Sequence, residues 1–108
     1  MPSPLVNRYA VFVHLQGKGA VRRAIARDPS LMMAVESCLA AYQSTGHFGY
    51  VIEDQRQRRA FTLDRNLVLR VLFLKSNDEE SYFQILNRLD RTGGQAELVA
   101  FLVDHAPI

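Results

Sequence analysis

Apolar residues cluster and recur along this chain in patterns that mark out most of a small domain. The longest apolar cluster is residues 67–74, eight positions broken only by Arg70. Rich in Leu and Val and bounded by polar residues at 64–66 and 75–78, it reads as a strand buried on both faces. Leu67, Leu69, Val71 and Phe73 then point one way, and Val68, Arg70, Leu72 and Leu74 the other. Leu69, Val71, Leu72 and Phe73 are expected to be nearly inaccessible to water. Eight residues are too few to cross a membrane.

The remaining elements are placed around that segment. Residues 1–7 are expected to fray. Residues 8–15 have the β-branched and aromatic content of a strand, with Tyr9, Val11, Val13 and Leu15 on one face. Gly17, Lys18 and Gly19 break it. Ala20, Val21, Ala24 and Ile25 then fall at helical spacing, with Arg22, Arg23 and Arg27 on the remaining face, which predicts a short amphipathic helix. Asp28 and Pro29 suit an N-cap and a first helical position, so a second helix is expected to start there. Its stripe is Leu31, Val35, Cys38, Leu39 and Tyr42, and Thr45 and Gly46 stop it.

Residues 48–52 and 59–63 read as extended segments around a polar turn at 53–58, and with 67–74 they form an antiparallel meander. Asn77 or Asp78 opens a further helix, with Glu79 and Glu80 in its first turn and Tyr82, Ile85, Leu86 and Leu89 at helical spacing. A strand over 82–86 is the alternative. Thr92, Gly93 and Gly94 end it. Residues 95–105 form a last helix in which Leu98, Val99, Phe101, Leu102 and Val103 leave little polar face, so it is expected to be buried nearly all round. The fold class is α+β: an antiparallel three- to four-stranded sheet with helices packed on it, in the order β-α-α-β-β-β-α-α.

Composition narrows the class further. A chain of 108 residues makes one domain over 1–108, and 48% hydrophobic with 22% charged residues excludes a disordered or low-complexity chain. Cys38 is the single cysteine and has no partner for an intramolecular disulfide. The start Met1-Pro2-Ser3-Pro4 lacks the basic and long apolar regions of a secretory signal, so a cytoplasmic protein is expected. Net charge is +2, but residues 1–70 hold ten Lys/Arg against five Asp/Glu and residues 71–108 three against six. The first part therefore carries +5 and the second −3, and a basic face of that kind attracts nucleic acid or an acidic protein.

Few residues carry a chemical signature. Gly17-Lys18-Gly19 lacks the glycine spacing and Lys-Ser/Thr pair of a phosphate-binding loop and reads as a plain strand-to-helix turn. His14, His47 and His105 lie far apart, with no second His or Cys at metal-ligand spacing, so neither a metal nor a cofactor is expected. Cys38 sits on an apolar helix stripe and reads as a core residue rather than a nucleophile. Glu53-Asp54 and Glu79-Glu80 read as solvated charge. Arginine is the cluster that stands out: Arg56, Arg58 and Arg59 in the meander turn, Arg65 and Arg70 after it, and Arg22, Arg23 and Arg27 before it. The planar guanidinium suits phosphate and carboxylate alike, and Phe48, Tyr50 and Phe61 are the aromatic residues near it. Arg70, held in an apolar segment, is expected to make a structural ion pair.

The order strand, helical hairpin, basic antiparallel meander resembles the small bacterial toxins of the RelE and ParE superfamily, a likeness of architecture rather than of motif. It implies cleavage of messenger RNA on the ribosome or poisoning of gyrase, with Arg70 and Tyr82 as a phosphate clamp and a stacking or proton-transfer group. The residues themselves, with no recognisable catalytic set, favour a non-enzymatic interaction module that binds a protein partner or itself. The toxin-like ribonuclease or RNA-binding domain is the alternative, with weak, non-specific retention of nucleic acid. A two-sided apolar strand and a nearly all-apolar last helix are hard to bury together in one small domain. A homodimer is therefore expected, with Phe101, Leu102 and Val103 as contacts.

Overall fold

The computed structural model describes residues 7–15 and 21–107. The expected frayed start at 1–7, apart from Asn7, and the Gly17-Lys18-Gly19 turn lie outside the described residues. Eight elements follow in the order β1 (Tyr9–Leu15), β2 (Val21–Asp28), α1 (Leu31–Thr45), β3 (Tyr50–Asp54), β4 (Arg59–Leu63), α2 (Arg65–Asn77), α3 (Glu79–Arg91) and α4 (Gln95–His105). The strands form one antiparallel sheet in the spatial order β2-β1-β3-β4. The α+β class and the antiparallel sheet are as the sequence indicated. The order is β-β-α-β-β-α-α-α, which differs from the expected one in two elements.

The first difference is the apolar run 67–74, which lies in α2. Asp64 caps it, its Oδ1 accepting from Leu67 N at 2.8 Å, and Leu67, Val68, Val71 and Leu74 are buried. Those positions follow i, i+1, i+4 and i+7, a helix stripe rather than two strand faces. Leu69 and Leu72 flank the stripe and stay half-buried, and Phe73 is 40% exposed, so only Val71 of the four expected core residues is fully enclosed. A short apolar run carries no period of its own, and Leu and Arg both favour helix.

The second difference is residues 21–28, a strand rather than a helix. The alanines and arginines there favour helix by no more than about 0.7 kcal/mol each, whereas pairing with β1 supplies a ladder from Tyr9↔Asp28 to Leu15↔Val21. The register shifts between Val11 and Phe12, leaving Ile25 unpaired as a β-bulge. Because Asp28 ends β2, the cap of α1 is Ser30, whose side chain accepts from Met33 N at 3.2 Å. With 21–28 a strand, the helical hairpin that supported the toxin likeness is absent among the described residues, and so is the observation behind that likeness.

The other elements follow the spacing. Leu31, Val35, Cys38 and Leu39 of α1 are buried, and Gly46 ends it at φ 76°, a left-handed conformation that glycine adopts without a side-chain clash. Tyr82, Ile85, Leu86 and Leu89 are the buried stripe of α3, so 79–91 is helix and not strand. Of α4, Leu98 and Leu102 are buried while Val103 is 50% exposed; it is amphipathic rather than buried all round.

All the helices lie on one side of the sheet. α1 packs on β1, β2 and β3, α2 and α4 pack on β4, and α3 closes the layer against the other three helices. Tyr9, Val11, Val13, Tyr50, Ile52, Phe61 and Leu63 project from the strands into this single core.

Leu74 is fully enclosed. Leu74→Ala is expected to cost about 2 to 5 kcal/mol of stability, and Leu72→Ala, at a half-buried position, distinctly less. Denaturant melts of the two variants check the assignment of 67–74 to a helix, because a two-sided buried strand would make them similar.

Candidate functional site

The charged groups divide into those consumed by the fold and those left on its surface. Asp54, at the end of β3, is 2% exposed. Arg8 grips it with both arms, Nε to Oδ1 at 3.0 Å and Nη2 to Oδ2 at 2.9 Å. Arg59 Nε donates to the same Oδ2 at 2.9 Å, and the backbone N–H groups of Arg56 and Gln57 donate to Oδ1 at 3.0 and 3.2 Å. Burial alone pushes the Asp54 carboxyl up, but these hydrogen bonds outweigh it and hold the pKa at about 2. The pair Glu53-Asp54, expected as solvated charge, thus splits into one buried and one surface residue.

Arg59 continues the network away from the strand. Its two terminal nitrogens donate to the carbonyls of Gly93, Leu89 and Asp90, at the end of α3 where backbone oxygens have no helical partner. Gly93 sits at φ 99°, and a side chain there would collide with Leu89 and Glu97. Asp90 in turn accepts from Tyr9 Oη and from Leu31 N, both at 2.9 Å, so α3 also holds the start of α1. Burial, then the bond to Asp90, raises the Tyr9 pKa.

Of the arginines the sequence singled out, Arg59 is therefore structural. Arg70 is too, though without the expected ion pair among the described residues: on α2 it takes Asn66 Oδ1 at 2.8 Å and caps α4 through the Ala106 carbonyl at 2.7 Å. Arg56 and Arg58 are exposed on the β3–β4 turn, where Arg58 adopts φ 50°, and Arg65 is exposed in the first turn of α2. Arg22, Arg23 and Arg27 lie on the edge strand β2. The predicted residues do not converge on one cluster.

What the fold does assemble is the second face of the sheet, on which no helix packs among the described residues. Strand pairing sets Arg27 beside Ala10 and Glu53 in one row, and Ala24 beside Phe12 and Val51 in the next. Thr62 extends the second row and Ala60 the first. Arg22 sits over Phe12, its guanidinium carbon 3.6 Å from the ring centroid, and reaches across β1 to Glu53 Oε2 at 2.7 Å. The face is thus a low floor of small and apolar side chains with arginine stretched over it. Phe12 and Glu53 were not picked out from the sequence. The available signal was parity: Phe12 and His14 alternate with the core residues of β1 and so had to face away from the core.

The remaining chemical candidates are committed elsewhere. Cys38 is buried, and burial followed by the nearby Asp28 charge pushes its thiol up to about 12, far from a reactive thiolate. Tyr82 is enclosed between helices with its hydroxyl unpartnered, and burial raises its pKa, which does not suit proton transfer near neutrality. Among the described residues no three His, Cys, Asp or Glu stand where they could hold a metal ion. No helix there is long and apolar enough to cross a membrane. For the expected dimer contacts, Leu102 is 1% exposed and belongs to the core, Phe101 is half-buried and stacked on His105 at 3.9 Å, and Val103 faces outward. A second copy is also no longer needed to cover a two-sided strand at 67–74.

Two concavities matter. A cleft of about 490 Å³ runs from His14 and Val51 past Thr62 and Leu63 to Val99 and Val103 of α4. Its volume suits a small molecule, but three of its polar lining residues are engaged: Asp64 caps α2, Asn66 holds Arg70, and Gln95 pairs with the backbone of Thr62. A smaller one of about 160 Å³ lies beside β2, between Val13, Leu15, Arg23 and Ile25 and the last turns of α1.

No protein-family model matches the chain, and no curated protein or solved structure matches it.

The Asp54 network sets an acid dependence. A carboxyl held at about 2 contributes stability that is complete above the ordinary aspartate value near pH 4 and is lost as pH falls towards 2. Asp54→Asn, which leaves two guanidinium groups without their charge partner, is expected to cost about 3 to 5 kcal/mol at neutral pH. Its remaining stability should vary less between about pH 4 and pH 2 than that of the parent chain. Urea melts across that range check both.

Proposed function

We propose that the protein is a non-enzymatic binding module that takes an acidic protein partner on the second face of its sheet, on which no helix packs among the described residues. The observation that carries this reading is the Arg22–Glu53 pair over Phe12: the face already holds one carboxylate, with its guanidinium spread on an aromatic ring. Both members are partly exposed, and ion pairs of that kind are worth about 1 kcal/mol or less. An incoming carboxylate can therefore replace that of Glu53 at small cost.

Charge distribution supports the same reading. The basic first seventy residues build the sheet, α1 and the start of α2, while the acidic remainder is confined to the helices. An acidic protein meets the basic layer and is repelled from the other, which fixes orientation as well as attraction. The small exposed residues Ala24 and Ala60 allow close approach, while Ala10 beneath them is already buried.

Nucleic acid is the second reading, favoured by the same arginine-on-aromatic stack, since bases and guanidinium groups compete for such rings. Phe12 is the only Phe, Tyr or Trp on that face among the described residues, with the His14 imidazole beside it on β1, which offers a base a short stacking surface instead of a row. Arg58 lines a concavity with Glu53 and Ala60 at the turn end of that face, while Arg56 is exposed on the β3–β4 turn and Arg65 in the first turn of α2.

Fluorescence anisotropy with a labelled polyglutamate chain and a labelled oligouridylate of equal charge, both at physiological salt, separates the readings. Polyglutamate is expected to bind, and Arg22→Glu combined with Arg27→Glu to weaken it about tenfold or more, a loss of about 1.4 kcal/mol. Tighter binding of the oligouridylate, or an unchanged affinity in the variant, would overturn the proposal. Far-ultraviolet circular dichroism of the variant shows that the helices are retained.

A further inference from the structure

Resting on that reading, we propose that the acidic partner joins the sheet as a fifth strand. An extended acidic peptide segment pairs along the outer edge of β2 and places one aliphatic side chain in the small cleft between β2 and α1.

The two edges of the sheet are treated differently. At the β4 edge, Gln95 reaches from α4 and bonds Thr62 twice, accepting from its N–H and donating to its carbonyl, each at 2.9 Å. A side-chain amide there takes the place of a neighbouring strand. At the β2 edge nothing comparable is present among the described residues: β2 pairs with β1 alone, and its eight residues are exposed or half-buried. An edge of that length offers a row of unpaired backbone groups, which is the template for strand addition.

The side chains of β2 select the occupant. Arg22, Arg23 and Arg27 stand on one strand with a single acidic residue, Asp28, so carboxylates on a neighbouring strand gain opposite-charge pairs. A second copy is disfavoured: symmetric antiparallel pairing of two β2 strands centred between Ala24 and Ile25 sets Arg22 against Arg27 twice. The Ile25 bulge and the arginines block indiscriminate pairing, which leaves an acidic segment as the fitting strand.

The cleft supplies the specificity that backbone bonds lack. At about 160 Å³ it is smaller than the roughly 300 Å³ at which small-molecule sites begin, and it suits one side chain. Val13, Leu15, Ile25 and Ala41 make it apolar, while Arg23 and His47 lie at its border. Val21, at 56% exposure, and Ile25 offer further apolar contact along the same edge. A segment that alternates acidic and aliphatic residues fits this arrangement, because alternate side chains of a strand fall on one face.

The probe is a labelled octapeptide alternating glutamate and valine, compared with a lysine–valine version and a glutamate–valine version carrying N-methyl groups on alternate amides. Anisotropy is expected to show binding of the first, no binding of the second, and loss in the third, because N-methylation removes the donors that strand pairing needs. Arg23→Glu with Arg27→Glu should weaken binding about tenfold or more. In the parent chain, amide hydrogen exchange by nuclear magnetic resonance should slow on β2 when the peptide is bound, a readout that needs no variant. Equal binding of the N-methylated peptide, or protection elsewhere than β2, overturns strand addition while leaving the acidic-partner reading in place. Failure of both the octapeptide and polyglutamate overturns the two together. A species of twice the chain mass in sedimentation without peptide, with β2 protected, assigns the edge to a second copy and likewise overturns the proposal.

Discussion

A single buried carboxylate organises the polar architecture of this domain. Asp54 lies where β1, β3 and β4 meet the helical layer, and an isolated charge at that depth is unstable. Arg8 from the start of β1 and Arg59 from β4 neutralise it, and the two turn amides fill its remaining acceptor capacity. Each arginine then acts beyond the sheet. Arg59 holds the end of α3, and Arg8 approaches Asp90 at 3.7 Å, which itself binds Tyr9 and the first amide of α1. Two arginines and two aspartates thus join three strands to two helices. A pair of this kind adds little to stability relative to well-packed apolar residues. Its consequence is geometric: hydrophobic packing is non-directional, whereas these bonds admit one register of the hairpin and one placement of α3 upon it.

The same logic recurs wherever a backbone end would otherwise be unpaired. Ser30, Asp64 and Asp78 cap the starts of α1, α2 and α3. Arg59 and Arg70 close the ends of α3 and α4, and Gln95 closes the β4 edge. Long polar side chains substitute for missing backbone partners because a buried, unpaired carbonyl or amide costs more than the entropy of fixing one side chain. Part of the arginine content is therefore internal support. What remains outward on the sheet layer is concentrated on β2 and on the β3–β4 turn.

Elements whose signal is periodic and local were legible in the sequence: β1, α1, β3, β4, α3 and α4 each show a stripe, a cap or a turn within a few residues. α2 and β2 were not, for opposite reasons. The run 67–74 is so uniformly apolar that strand and helix patterns fit it equally, and only the Asp64 cap, three residues upstream of Leu67, argued for helix. Residues 21–28 carry the residue types of a helix, and their strand conformation comes from a non-local partner, the free edge of β1. The site suffered from the same limit. Asp54 read as solvated because its partners Arg8 and Arg59 are identified only when the chain closes on itself, and Arg22 could not be linked to Phe12 and Glu53 before β2 was known to be a strand.

The two halves of the structure bear on each other through rigidity. A sheet held at one end by the Asp54 network and along its inner face by the core presents its outer face in a fixed shape, so a partner does not have to order it on binding. The adjustable part is Arg22, a long side chain whose only charged contact among the described residues is Glu53. Glu53 and Asp54 are neighbours with opposite fates. The buried one fixes the scaffold, while the surface one occupies the guanidinium that an acidic partner would otherwise find unpaired and solvated. Affinity at this face is then set by the difference between two carboxylates competing for one guanidinium, a small quantity when both are exposed. Any strong binding must draw on something additional, and of the features next to Arg22, the unpaired backbone of β2 is the one that has not already found its partner inside the chain.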